Sequence, residues 1–236
     1  MTNDAFDDMD GGMSPVQAST RPVRPRDAAT LILVRRDGPK PRVLMGRRHS
    51  THTFMPDKWV FPGGRIDPSD FRAPFATDLR PDVAARLAKT APPSRARALA
   101  LAAVRETFEE VGLLLARPAP SRPGVGPWRE FLAQGALPDL AALDFVARAV
   151  TPTASPRRFD ARFMMAEADR LISLERQADC GELDEIAWFE LEEALGLDLP
   201  SVTRFVLREI PLRLADPSRP APCLRFVRGR QQLVHL

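Results

Sequence analysis

The chain has 236 residues, with 34 Lys and Arg against 31 Asp and Glu, a length that suits one domain with insertions and a formal charge of +3 too even to argue for nucleic acid or a membrane surface. Two widely separated cysteines, Cys180 and Cys223, build neither a disulfide framework nor a zinc site, which fits a reducing compartment. The N-terminus is acidic with no apolar run, and the longest apolar stretch, ALALAAV at 98–104, is far below the roughly 20 residues of a membrane span, so a soluble cytoplasmic protein with no nucleic-acid or membrane partner is expected.

Residues 1–26 hold Gly11, Gly12, Pro15, Pro22 and Pro25 without hydrophobic periodicity, the composition of a disordered tail. From residue 27 to 236 the text is that of one folded domain. AATLILVRR and PRVLMGRR, separated by the turn sequence DGPK, predict a β-hairpin. WVFPGGRID at 59–67 predicts a short strand broken at Pro62-Gly63-Gly64. A Pro-rich stretch to Pro93 follows, with one short helix near 81–89. SRARALALAAVRETFEEVG predicts a long helix, with Ser94 as its N-cap and Gly112 as the residue that ends it. Beyond it come a Pro/Gly-rich connection, a helix around 128–134, strands near 143–150, 158–166 and 186–189, helices near 190–196 and 200–208, and a closing segment of strand character. Strands and helices in this order predict a mixed sheet covered by helices, an α/β or α+β sandwich.

The long helix is unusual at its end. At 100° per residue, Leu101, Val104, Phe108 and Val111 share an arc of about 80°, whereas Glu106, Glu109 and Glu110 share about 100° on the other side, with the small residues Ala98, Ala102 and Ala103 upstream of them. A solvated acidic face is the ordinary explanation of such a run. Like charges three and four apart are unfavourable by roughly 0.2–0.5 kcal/mol per pair, and acid in a last turn opposes the helix dipole by roughly 0.3–1 kcal/mol per group. A divalent cation removes both costs, since Mg²⁺ takes hard oxygen ligands. The FPGG corner adds Gly63 and Gly64, whose backbone can approach a metal or phosphate more closely than side chains would permit.

At these residues the sequence resembles the Nudix hydrolase family, whose signature is a glycine, five residues, a glutamate, seven residues, then Arg-Glu-hydrophobic-x-Glu-Glu-x-Gly-hydrophobic. Arg105, Glu106, Glu109, Glu110, Gly112 and Leu113 match its second half, with Thr107 in the first hydrophobic slot. Counting back from Arg105 reaches Arg97 where the glutamate is expected, so an insertion of about 27 residues, within about 65–93, divides the signature. That division, with HSTHTFMPDKWVFPGGRID and TPTASPRRFDARFMMA, is similar to the coenzyme A diphosphatases of the family whose box is interrupted.

The resemblance implies a Nudix-type α/β/α sandwich with a mixed β-sheet, and an enzyme using Mg²⁺ or Mn²⁺ to hydrolyse the diphosphate of a small-molecule substrate, coenzyme A or an acyl-coenzyme A. Glu109 and Glu110 are then metal ligands, Glu106 a ligand or the base that orients water, Arg105 the ion-pair partner of a carboxylate, and Gly63 or Gly64 the donor of a carbonyl to the metal. A further base is expected at Glu182 or Glu185, with Glu182 preferred. Arg157 or Arg158 is a candidate clamp on a substrate phosphate, the alternative being a surface arginine paired with Asp160. His49 and His52 read as surface residues. Another diphosphate substrate, or a silent nucleotide-binding module of the same fold, stays open, as does a lid or homodimer contact for the insertion.

Overall fold

The computed structural model describes residues 23–51, 55–155, 157–176, 183–227 and 230–236. The predicted hairpin is β1 (Arg26–Arg35) and β2 (Arg42–Arg48), paired antiparallel. β1 is central to the sheet. Ala29, Leu31 and Leu33 enter one core and Ile32 and Val34 the other, which is why its sequence is a continuous apolar run and does not alternate with polar residues.

The tryptophan-glycine segment forms β3 (Trp59–Val60) and β4 (Gly63–Arg65), and β4 pairs antiparallel with the first half of β1. A 3₁₀ turn at Pro68–Phe71 and helix α1 (Pro81–Ala88) follow, then the long helix α2 (Pro93–Val111). Ser94 is not its N-cap. Pro92 takes the capping position in extended geometry and Pro93 the first helical one, where a missing N–H costs nothing, so Ser94 already lies inside the helix. At the other end Gly112 is left-handed (φ 69°) and donates its N–H to Phe108 O at 2.9 Å, as its position predicts.

The next elements are the small hairpin of β5 (Ala116–Pro118) and β6 (Ala136–Pro138), with α3 (Trp128–Ala133) between them, and then β7 (Asp144–Val150) and β8 (Phe159–Glu167). The chain ends with β9 (Leu183–Glu190), α4 (Leu191–Gly196), α5 (Ser201–Ala215) and the hairpin β10 (Pro222–Val227) and β11 (Arg230–His235). Helix α5 outruns the expected end near 208 and continues through Pro211. An interior proline costs about 3 kcal/mol. The burial of Val206, Leu207 and Ile210 around it, at roughly 1.5–3 kcal/mol each, outweighs that.

Among the described residues the main sheet has nine strands, ordered β11-β10-β7-β8-β1-β2-β3, with β4 also on β1 and β9 also on β2. β1 and β8 are parallel, as are β7 and β10, and the other pairs are antiparallel. One core lies between the sheet and α1, α2 and α3, and the second between the sheet and α4 and α5. This is the expected α/β/α sandwich with a mixed sheet. Among the described residues no helix is long and apolar enough to cross a membrane.

Candidate active site

The acidic end of α2 is not a solvated face. Ala98, Ala102 and Ala103 are fully buried, Glu110 is 4 % exposed, and of the three glutamates only Glu109 retains much contact with solvent. What closes over this side is the glycine corner. Gly63 N–H donates to Glu110 Oε2 at 2.9 Å, and a Cβ placed on Gly64 would stand 2.6 Å from Glu106 Oε2. The β1 pairing sets this approach, since Gly64 lies opposite Ala29 and Gly63 opposite Thr30.

Arg105 is the centre of the arrangement. It is 3 % exposed, and all five of its N–H groups have acceptors. Nη1 donates to Glu106 Oε1 at 2.9 Å and to Glu109 Oε2 at 2.8 Å. Nε and Nη2 form a two-pronged pair with Asp70 at 2.9 and 3.0 Å, and Nη2 also reaches Arg65 O at 2.9 Å. Burial opposes the charge on Arg105, but its hydrogen bonds to Asp70 and the charges of Glu106, Asp70 and Glu109 more than offset it, so its pKa is raised. The expected ion pair of Arg105 with a neighbouring carboxylate is thus present three times over.

Asp70 has no place in the sequence reading, yet it is fully buried and as well connected as Arg105. Besides the guanidinium it accepts from the indole of Trp128 at 2.9 Å and from Asp67 N–H at 2.8 Å. A signal was there. Asp70 stands six positions after Gly64, the spacing of glycine and glutamate in the divided signature, so counting forward from the glycine finds what counting back from Arg105 misses. By the forward count the extra residues would start after Asp70. Arg97, where the backward count ends, grips Asp78 of the insertion at 2.6 and 3.0 Å and lies over the ring of Phe75. Thr107 fits its apolar slot because its hydroxyl donates to Ala103 O at 2.8 Å.

The donor set suits a hard cation, carboxylate oxygen throughout. Among the described residues no three acidic, histidine or cysteine side chains already stand around a common point. The reason is visible in the hydrogen bonds: Arg105 draws the carboxylates of Glu106 and Glu109 to itself, and the Gly63 amide draws Glu110. Burial pushes the Glu109 carboxyl up to about 7; Arg105 works against that shift and Glu106 adds to it. A cation beside Glu109 would replace the proton that burial favours.

The other candidates fall less favourably. Glu182 lies outside the described residues, as do Cys180 and His52. Glu185 is exposed on β9, paired with Arg47 across the strands at 3.5 Å. Arg158 spends three of its five N–H groups on backbone, donating to Val23 O at 2.6 Å and to Thr151 O at 3.2 and 3.3 Å. Arg157 is exposed. Asp160, the expected partner of one of these arginines, is instead bound two-pronged by Arg148 at 2.7 Å. His49 is an exposed neighbour of Asp184.

Strand β4 lines two openings. Gly63 and Gly64 border an apolar cavity of about 190 Å³, walled by Phe61, Phe159 and Phe163 among others, where Arg48 is the one charged side chain among the described residues. Arg65 borders an open cleft of about 910 Å³ that also reaches Arg105 and Glu106.

No family model matches the chain. It is 28 % identical over 205 residues to an acyl-coenzyme A diphosphatase of Gallus gallus, covering 59 % of this chain and 54 % of that protein. It is 28 % identical over 185 residues to a nudix hydrolase of Caenorhabditis elegans, covering 72 % of this chain and 53 % of the other. The chain thus spans about half the length of these curated relatives. Among solved structures it is similar to a NUDIX hydrolase from Alicyclobacillus acidocaldarius, at 28 % identity with a TM-score of 0.61, over 81 % of this chain and 96 % of that one. In sequence and in fold, the chain is thus similar to Nudix hydrolases.

Proposed function

We propose that the chain is a divalent-metal-dependent diphosphatase whose substrate is coenzyme A or an acyl-coenzyme A. The observation that carries the reading is that one helix end brings Glu106 and Glu109 to a buried arginine and Glu106 and Glu110 to the Gly63-Gly64 backbone. Three carboxylates at one helix end, one of them with a pKa raised by burial to about 7, make an arrangement that a cation would stabilise. The similarity to an acyl-coenzyme A diphosphatase supports the substrate class.

In this reading Glu106, Glu109 and Glu110 hold Mg²⁺ or Mn²⁺, with the Gly64 backbone alongside. When bound, the metal offsets the charge of the diphosphate and lowers the pKa of a bound water. Arg105 is a positioning residue: anchored on Asp70, it fixes where Glu106 and Glu109 begin. Glu106, where it is not a ligand, would instead take a proton from the attacking water. Glu182 remains the proposed additional base.

A panel of diphosphates incubated with Mg²⁺ or Mn²⁺ and read by product mass tests this. Coenzyme A is expected to give phosphopantetheine and adenosine 3′,5′-bisphosphate. Cleavage of nucleotide sugars or dinucleotides alone would move the substrate class, and cleavage of no diphosphate at all would overturn the reading.

A further inference from the structure

The cleft beside Glu106 is bordered by three arginines, Arg26, Arg65 and Arg95, from β1, β4 and the first turn of α2. Their charge is little offset. Of the acids in the same wall, Asp27 is held by Arg162 at 2.8 Å and lies 3.4 Å from Arg95, Asp67 is turned to Ser69, accepting from its N–H and hydroxyl, and Glu106 is held by Arg105 at 2.9 Å. Arg105, also at the wall, has spent all its N–H groups. The guanidinium groups of Arg26 and Arg65 have no partner among the described residues. Phe71, 49 % exposed, stands in the same wall and offers a flat apolar face. The cleft's volume falls in the roughly 300–1,000 Å³ range of small-molecule sites.

We infer that this cleft binds a phosphate monoester carried on the nucleoside half of the substrate, apart from the diphosphate itself, with Arg26, Arg65 and Arg95 as its cationic wall and Phe71 as a stacking surface for the base. The inference rests on the diphosphatase reading for the direction in which the substrate extends. Guanidinium suits it because its fixed fork matches two phosphate oxygens at once. The opposite end of β4 argues the same way, since the cavity at Gly63 and Gly64 is apolar and suits an uncharged group. An unsymmetrical diphosphate, with an apolar arm on one side and an extra phosphate on the other, matches both openings. The phosphate-clamp role considered for Arg157 or Arg158 passes to these three residues.

The test is calorimetric titration of the full chain, without divalent cation, with adenosine 3′,5′-bisphosphate and with AMP. The bisphosphate is expected to bind at least tenfold more tightly, and that preference is expected to collapse in Arg65→Ala/Arg95→Ala, with circular dichroism confirming the fold. Equal binding of the two ligands, binding of neither, a preference that survives the double substitution, or one abolished by Arg157→Ala would each overturn the inference. Because nothing is hydrolysed in this titration, its outcome is independent of the diphosphate panel: turnover without a monoester preference removes the inference and leaves the diphosphatase reading standing.

Discussion

Gly64 and Glu106 are in contact in a way that only glycine permits: the space a Cβ would fill is taken by the glutamate carboxylate. Gly63, its neighbour, would meet a different obstacle, because a Cβ there lies 2.6 Å from Ala29 O and 2.7 Å from the Thr30 Cα. One collision is with the tip of a side chain and the other with the backbone of the central strand. Gly64→Ala is therefore expected to displace Glu106 and cut turnover while leaving the fold intact. Gly63→Ala is expected to break the pairing of β4 with β1 and lower the melting temperature. Turnover and thermal denaturation on both variants check this, and equal behaviour of the two would contradict it.

Removing Asp70 leaves the buried guanidinium of Arg105 without its two-pronged partner. Loss of one member of a buried ion pair costs about 3–5 kcal/mol, so Asp70→Ala should shift the urea midpoint strongly and slow any remaining turnover. The indole of Trp128 loses its acceptor in the same variant, and its fluorescence reports the change.

Arg97→Ala is expected to behave quite differently. Its ion pair with Asp78 lies at the surface, where such pairs contribute about 0–1 kcal/mol. Turnover should survive. A large loss on Arg97→Ala with a small one on Asp70→Ala would mean that the backward count, and not the forward one, finds the functional position.

The raised pKa of Glu109 fixes the sign of a pH effect. Its folded-state value of about 7 lies above the ordinary 4.5, so the folded chain keeps the proton where the unfolded chain has lost it. This contribution to stability is present below pH 4.5 and is lost as pH rises toward 7. Metal-free melting temperatures of the native chain should accordingly fall relative to those of Glu109→Gln between pH 5 and 8. Added Mn²⁺ should stabilise the native chain more at pH 8 than at pH 6, because it competes with the proton. A difference between the two proteins that does not change with pH would contradict this.

Much of the fold was legible because local signals were strong. The apolar runs at 28–34 and 42–45, the DGPK turn and the glycine at 112 each name their element. The carboxylate helix stood out because it violates helix electrostatics. Ser94 misled because a proline pair upstream sets the helix start more firmly than a serine does. Asp70 escaped because its importance is tertiary: it lies 35 positions from Arg105, in a turn whose own sequence shows only a cap. Trp128, which completes its shell, carries no sequence signal of that role. The cationic cleft was hidden for the same reason, since Arg26, Arg65 and Arg95 are scattered through an arginine-rich chain and only β4 and the first turn of α2 bring them to one wall.

The central claim is that Glu106, Glu109 and Glu110 turn from Arg105 and Gly63 toward a divalent cation. Anomalous diffraction from crystals grown with Mn²⁺ addresses it directly. The account predicts a manganese peak bounded by those three carboxylates, with Arg105 still anchored on Asp70. Crystals in manganese with no peak there, and with all three carboxylates still bonded to Arg105 and Gly63, would contradict it.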